Sequence, residues 1–216
     1  MNILFQGDSV TDCGRNTPQE KPNTNLGDGY VNLIASRLLF ENTDLNIYNK
    51  GVSGNRIGDM YARWIEDTLN IDFDILSILC GINDVGFGLR LNMGADCDKF
   101  RFVYDRMLSE VKEKNPKAKI VLMEPFIFKV DFPNPRFGND IFKDWDIWSK
   151  EIKKRCAVVK ELSQKYDTIF IPLFDEFQEL SEKFGAAHFS SDCIHPTLAG
   201  HEFIARKWIE CCSKII

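Results

Sequence analysis

Asp74-Ile75-Leu76-Ser77-Ile78-Leu79-Cys80, running into Gly81-Ile82-Asn83-Asp84, is the stretch on which the fold turns. It is almost wholly apolar, short, and without polar alternation. That is the pattern of a strand buried on both faces, which occurs where helices cover both sides of a parallel sheet. Moving toward the N-terminus, helical periodicity covers Ile57 to Leu69. A second strand is expected over Leu45 to Tyr48. A helix over Tyr30 to Phe40 has Val31, Ile34, Ala35, Leu38 and Leu39 on one side, and a first strand covers Asn2 to Phe5. A polar loop carries the chain from that strand to Asp28.

Toward the C-terminus, a Gly-rich loop leads to a helix over Asp98 to Lys114, stopped by Asn115-Pro116. Lys119 to Met123 reads as the fourth strand. A long segment containing Pro125, Pro133 and Pro135 precedes a helix over Asp144 to Tyr166. Thr168 to Ile171 is the fifth strand, and helices over Asp175 to Phe184 and Thr197 to Ser213 close the chain. Strict alternation of β and α elements implies a three-layer α/β/α architecture around a central five-stranded parallel sheet. The run Lys150 to Arg155 reads as a solvated helix face, with Glu151 and Arg155 paired one turn apart.

Composition agrees with one globular domain spanning residues 1–216. Of 216 residues, 44% are hydrophobic and 27% charged, enough apolar material to close a full core. The formal net charge of −5 argues against nucleic acid or an anionic membrane as a partner. No apolar run approaches the roughly 20 residues of a membrane span. Met1 to Gly7 lacks a basic region and a long apolar run, so no secretory signal is expected. The seven cysteines (Cys13, Cys80, Cys97, Cys156, Cys193, Cys211 and Cys212) are odd in number and follow no framework spacing. Reduced thiols in a cytoplasmic protein are the simplest reading.

In parallel α/β sheets the working loops lie at the carboxyl ends of the strands. Gly7-Asp8-Ser9 follows the first strand, Gly51-Val52-Ser53-Gly54-Asn55 the second, and Gly81-Ile82-Asn83-Asp84 the third. Asp192-Cys193-Ile194-His195-Pro196 precedes the last helix. All four therefore fall at one edge of the sheet. Their residue types suit nucleophilic acyl transfer. A serine hydroxyl needs a base to take its proton, and histidine is the usual one. A carboxylate fixes the imidazole tautomer. The tetrahedral oxyanion needs donors, either backbone N–H groups beside glycines or an Asn amide. Ser9, His195, Asp192, Gly54 and Asn83 supply these parts, while Asp8 and Asp84 read as structural supports of their loops.

Gly7-Asp8-Ser9, Gly54, Gly81-x-Asn83-Asp84 and Asp192-x-x-His195 match, in order, the four blocks of the SGNH (GDSL-type) hydrolases, and the chain resembles that family over nearly its whole length. The resemblance implies a flavodoxin-like α/β/α fold, Ser9 as nucleophile, His195 as base and Asp192 as its orienting carboxylate. It also implies an oxyanion hole of the Ser9 and Gly54 N–H groups and the Asn83 amide. Val10 stands where the namesake motif has Leu. Leu4–Arg15 (LFQGDSVTDCGR), Asn49–Trp64 (NKGVSGNRIGDMYARW), Leu79–Val85 (LCGINDV) and His195–His201 (HPTLAGH) are similar to the intracellular carbohydrate-esterase branch, which includes bacterial acetylxylan esterases. That similarity implies removal of O-acetyl groups from xylo-oligosaccharides, no cofactor, and a homo-oligomer.

Aromatic side chains near a sugar site offer flat apolar faces to a pyranose ring. Trp145 and Trp148 are the first candidates, Tyr30 and Trp64 the next. Three other readings compete. A lysophospholipase, lipase or acyl thioesterase would need a long apolar groove, whereas the loops Asp12 to Asp28 and Val85 to Ala95 are not conspicuously apolar. A catalytically silent sugar-binding module would not need five intact catalytic positions. A zinc site could draw on His188, Asp192, Cys193, His195 and His201, but no C-x-x-C or H-E-x-x-H spacing is present, so no metal is expected. A phosphate loop fares no better, because Gly7 and Gly14 are separated by six residues and Arg15 follows where a Lys is needed.

Overall fold

Alternate residues of each central strand leave the sheet on opposite faces, and both faces are apolar. Ile3, Phe5, Ile75, Leu79, Val121 and Met123 join one buried cluster, while Leu4, Leu76, Ile78, Ile120 and Leu122 join the other. This is the period-two geometry of a strand, here with two dry sides. A computed structural model of the protein describes residues 1–15, 21–130 and 140–216. Parts of the loop expected between Asp12 and Asp28, and Pro133 and Pro135, lie outside the described residues.

The strands β1 (Asn2–Gly7), β2 (Asn46–Asn49), β3 (Ile75–Leu79), β4 (Lys119–Met123) and β5 (Ile169–Ile171) form one parallel sheet in the order β2-β1-β3-β4-β5. This is the flavodoxin-like order, as expected. In chain order the helices begin with α1 (Ser9–Asp12), α2 (Tyr30–Glu41), α3 (Ile57–Ala62), α4 (Ile82–Leu91) and α5 (Cys97–Lys114). They continue with α6 (Asp140–Lys143), α7 (Trp145–Tyr166), α8 (Phe174–Phe184), α9 (Ala186–Phe189) and α10 (Leu198–Cys212).

Helices α2, α8 and α10 cover the first face through Val31 and Ile34, Phe174 and Phe177, and Ile204 and Trp208. Helices α3 and α5 cover the second through Ile57 and Met60, and Phe100, Met107 and Val111. The 22 residues of α7 span about 33 Å, enough to serve both clusters. Its Trp148 and Ile152 enter the first, and Val158 and Leu162 the second. Ser77, the one hydroxyl in the apolar run of β3, is fully buried and accepts a hydrogen bond from Trp208 Nε1 at 3.0 Å. The bond removes the cost of an unpaired buried hydroxyl and pins α10 to the sheet.

Two expectations of secondary structure are corrected. The helix expected over Ile57 to Leu69 is interrupted: α3 ends at Ala62 and a π-helical turn occupies Ile65–Leu69. The buried Gln6 side chain of β1 donates to the Asp67 carbonyl and to Thr68 Oγ1, both at 2.8 Å, so the widened turn supplies acceptors to the sheet. The Gly-rich stretch after Asp84 is helical, as α4, rather than a loop. Gly86 serves close packing there, since a Cβ would stand 3.4 Å from the Trp148 ring. No helix among the described residues is long and apolar enough to cross a membrane.

Candidate active site

The connections from β1 run toward β2 on one side of the sheet, while β3 lies on the other side of β1. The loops leaving β1 and β3 therefore diverge, and the crevice between their carboxyl ends is where a doubly wound sheet receives ligands. Ser9 and Asn83 stand just past these two strand ends, in the first turns of α1 and α4.

Ser9 is the first residue of α1, a single turn built by Asp8. The Asp8 Oδ1 accepts from the Val10 N–H at 3.0 Å, and its carbonyl accepts from the Asp12 N–H at 2.9 Å. Cys13, in the left-handed region at φ 41°, ends the turn. Complete burial pushes the Asp8 carboxyl up to about 6, against the opposing pull of the Val10 N–H and of His195. Asp8 thus shapes the turn, accepting from a loop amide beside the serine.

His195 arrives from the loop between α9 and α10. The buried Ser190 closes this loop: its Oγ donates to the His195 carbonyl at 2.9 Å, and its backbone bridges to Pro196. Asp192 folds back within it, its Oδ1 accepting from the backbone N–H of Ile194 at 3.0 Å and of His195 at 2.6 Å. Its Oδ2 lies 2.6 Å from His195 Nδ1, and His195 Nε2 lies 2.8 Å from Ser9 Oγ. Burial alone would raise the Asp192 carboxyl, but the hydrogen bonds and charge of His195 hold it below the usual range. An ionised carboxylate only accepts, so Nδ1 carries the proton and Nε2 is left to take one from Ser9. The structure thus brings together three residues that the sequence separates by up to 186 positions.

Gly54 has φ 85°, and a Cβ there would meet nothing within 4 Å. Conformation rather than crowding therefore selects glycine. Asn83 lies in the first turn of α4, and its Nδ2 donates to the Asn55 carbonyl at 3.0 Å. That bond uses one of the two N–H groups of the amide. The neighbouring Asp84 is buried, with its Oδ2 accepting from the Ile57 N–H at 3.0 Å, and so ties α4 to α3. Burial pushes its carboxyl up to about 7.

The aromatic candidates need correction. Tyr30 and Trp64 are fully buried and Trp148 is 2% exposed, so none of the three can offer a face to a sugar. Tyr30 instead shares a 3.0 Å hydrogen bond with Thr11 Oγ1. Covering both faces of the sheet takes large apolar side chains, and these three are used for that purpose. Trp145 is half-buried, with Lys129 Nζ 5.8 Å from its ring centroid, and lines a separate cavity with Ser149, Phe174 and Gln178. No triad residue lines that cavity.

Among the described residues no group of three or more His, Cys, Asp or Glu is placed to hold a metal. His201 is committed elsewhere. Its Nδ1 accepts from the Tyr30 N–H at 3.2 Å, its Nε2 lies 3.3 Å from Cys13 Sγ, and burial, with His195 nearby, lowers it to about 4. Sequence reasoning did not single out Ser190, which stands two residues before the Asp192-x-x-His195 block and outside all four.

Known proteins show what the chain is similar to. The profile of the GDSL-like lipase/acylhydrolase family matches residues 5–203. An acetylxylan esterase of Geobacillus stearothermophilus is 32% identical over 212 residues, covering 96% of this chain and 91% of that enzyme. A crystal structure of an acetylxylan esterase from the same organism, Axe2, superposes with a TM-score of 0.82 at 29% identity, covering 97% of this chain and 93% of that one. Catalytic mutants of that enzyme have been solved with a serine, an aspartate, and a histidine three positions beyond the aspartate replaced. A GDSL-like lipase structure from Parabacteroides merdae ATCC 43184 superposes with a TM-score of 0.88 at 32% identity, covering 98% of this chain and 95% of that one.

Proposed function

The chain belongs to the GDSL-like lipase/acylhydrolase family, and from that premise we propose that this carboxylic ester hydrolase removes O-acetyl groups from carbohydrates, in particular from acetylated xylo-oligosaccharides. The observation that carries the reading is the unbroken series Ser9 Oγ, His195 Nε2, His195 Nδ1, Asp192 Oδ2, with contacts of 2.8 and 2.6 Å. The likeness to an acetylxylan esterase supports the choice of substrate.

In this mechanism Ser9 Oγ attacks the acetyl carbonyl as His195 Nε2 takes its proton. Asp192 stabilises the imidazolium. The oxyanion is held by the N–H groups of Ser9 and Gly54 and by the free N–H of Asn83. Collapse of the tetrahedral intermediate breaks the ester C–O bond, and His195 returns the proton to the departing sugar hydroxyl. Water then attacks the acetyl-enzyme with the same histidine as base, releasing acetate and restoring Ser9. No step calls for a cofactor. The free state of all seven cysteines supports placing the protein in the cytoplasm.

Acetate release from acetylated xylo-oligosaccharides tests the substrate. Turnover is expected there, and kcat/KM on p-nitrophenyl esters should collapse between acetate and octanoate. Cleavage of p-nitrophenyl acetate without release from the sugar would keep the esterase and discard the xylan substrate. A preference for octanoate would favour a lipase or lysophospholipase. Asn83→Ala should lower kcat by about 10²–10³-fold with KM nearly unchanged, because the lost donor serves the oxyanion rather than the ground state. A rise in KM alone would make Asn83 a substrate contact.

A further inference from the structure

The guanidinium of Arg63 lies behind the proposed oxyanion hole and is used almost completely. Its side chain is 17% exposed. Nε donates to Asn55 Oδ1 at 2.6 Å; Nη1 donates to the Lys50 carbonyl at 2.9 Å and to Asp67 Oδ2 at 3.0 Å; Nη2 reaches the Gly7 carbonyl at 3.3 Å. Gly7 ends β1 immediately before Asp8-Ser9, Lys50 follows β2, and Asn55 follows Gly54. One planar, always-charged group therefore bonds to all three segments, a task suited to the fixed fork of arginine.

Asn55 passes this constraint on. While its side chain accepts from Arg63, its backbone N–H donates to the Val52 carbonyl at 3.1 Å and its own carbonyl accepts from Asn83 Nδ2 at 3.0 Å. A carbonyl only accepts, so the Asn55 oxygen decides which end of the Asn83 amide is nitrogen and where its second N–H points. We propose that Arg63, acting through Asn55, is a positioning residue for the oxyanion hole: it holds the Asn55 carbonyl, and the carbonyl aims the Asn83 amide. The proposal rests on the esterase reading above. A displaced donor costs rate steeply, since a shift of about 1 Å is enough to lose about 10²-fold.

The test is a double-mutant cycle on p-nitrophenyl acetate. Arg63→Met and Asn55→Ala should each lower kcat by about 10–10²-fold with KM nearly unchanged. Either change added to Asn83→Ala should cost less than about threefold more, because the amide being positioned is already gone. Asn55→Asp keeps both the side-chain acceptor for Arg63 and the backbone carbonyl, and should stay within about threefold of wild type. If Arg63→Met does not fold, Asn55→Ala and Asn55→Asp decide the matter alone. Losses that multiply in full on the Asn83→Ala background, or that fall on KM, would overturn the positioning role while leaving the esterase reading intact. An Asn83→Ala enzyme with unchanged kcat would instead remove the oxyanion role itself, and the positioning role with it.

Discussion

Substitution of Ser9 by alanine is expected to lower kcat on p-nitrophenyl acetate by about 10⁶-fold, the scale on which loss of a serine nucleophile acts elsewhere. The change removes the attacking oxygen and little else. The backbone N–H at position 9, Gly54, Asn83 and the His195–Asp192 pair all remain, so a residue of about 10³–10⁴-fold over water should persist from the oxyanion donors and binding. Stability should change by no more than about 1 kcal/mol, since one part-buried hydrogen bond to His195 is lost. Steady-state kinetics with thermal unfolding as a control checks both statements.

A second nucleophile is at hand to challenge this result. Cys13 Sγ sits 3.3 Å from His201 Nε2, the spacing of a Cys–His dyad. The geometry runs against it. His201 Nδ1 accepts the Tyr30 N–H, so Nε2 must carry the proton and point it at the sulfur rather than remove one. Burial, with Asp28 adding to it, also pushes the Cys13 thiol up, away from thiolate. Full activity in Ser9→Ala that is abolished by thiol alkylation would mean that this pair does the chemistry and that the Ser9 assignment is wrong.

How far a sequence can be read here depends on the range of the interaction that decides each feature. The central strands β1, β3 and β4 are readable because burial on both faces leaves a mark in each strand separately, as in Ile75 to Leu79. The order of the sheet then places Ser9 and Asn83 on diverging connections, and residue type supplies the rest. Other features depend on what a side chain meets far away in sequence. Trp64, Trp148 and Tyr30 have the composition of a sugar platform, yet whether they face a crevice or a core is decided by helices packing over the sheet. The π turn at Ile65–Leu69 answers to Gln6, some sixty residues earlier. Arg63 is one arginine among 27 basic residues, and its place behind the catalytic loops follows only once β1, β2 and α3 have been assembled.

The Asp192→Asn variant should lower kcat by about 10⁴-fold while leaving the fold nearly unchanged, and the local hydrogen bonds say why so small a change costs so much. Two backbone donors, the N–H groups of Ile194 and His195, converge on Asp192 Oδ1. An asparagine must present its carbonyl oxygen to them, which puts its NH₂ in the place of Oδ2, against His195 Nδ1. Two donors cannot face each other, so the imidazole answers by giving up the Nδ1 proton and carrying it on Nε2. That nitrogen then directs an N–H at Ser9 and can no longer accept the proton whose removal makes the serine a nucleophile. The variant would hold every heavy atom in place and fail by tautomer alone. Its kcat should therefore fall at unchanged KM, and its unfolding temperature should stay close to wild type. A loss of less than about tenfold would show that Asp192 does not set the tautomer of His195, and the two short backbone contacts on Oδ1 would then mark a loop-folding residue rather than part of the catalytic series.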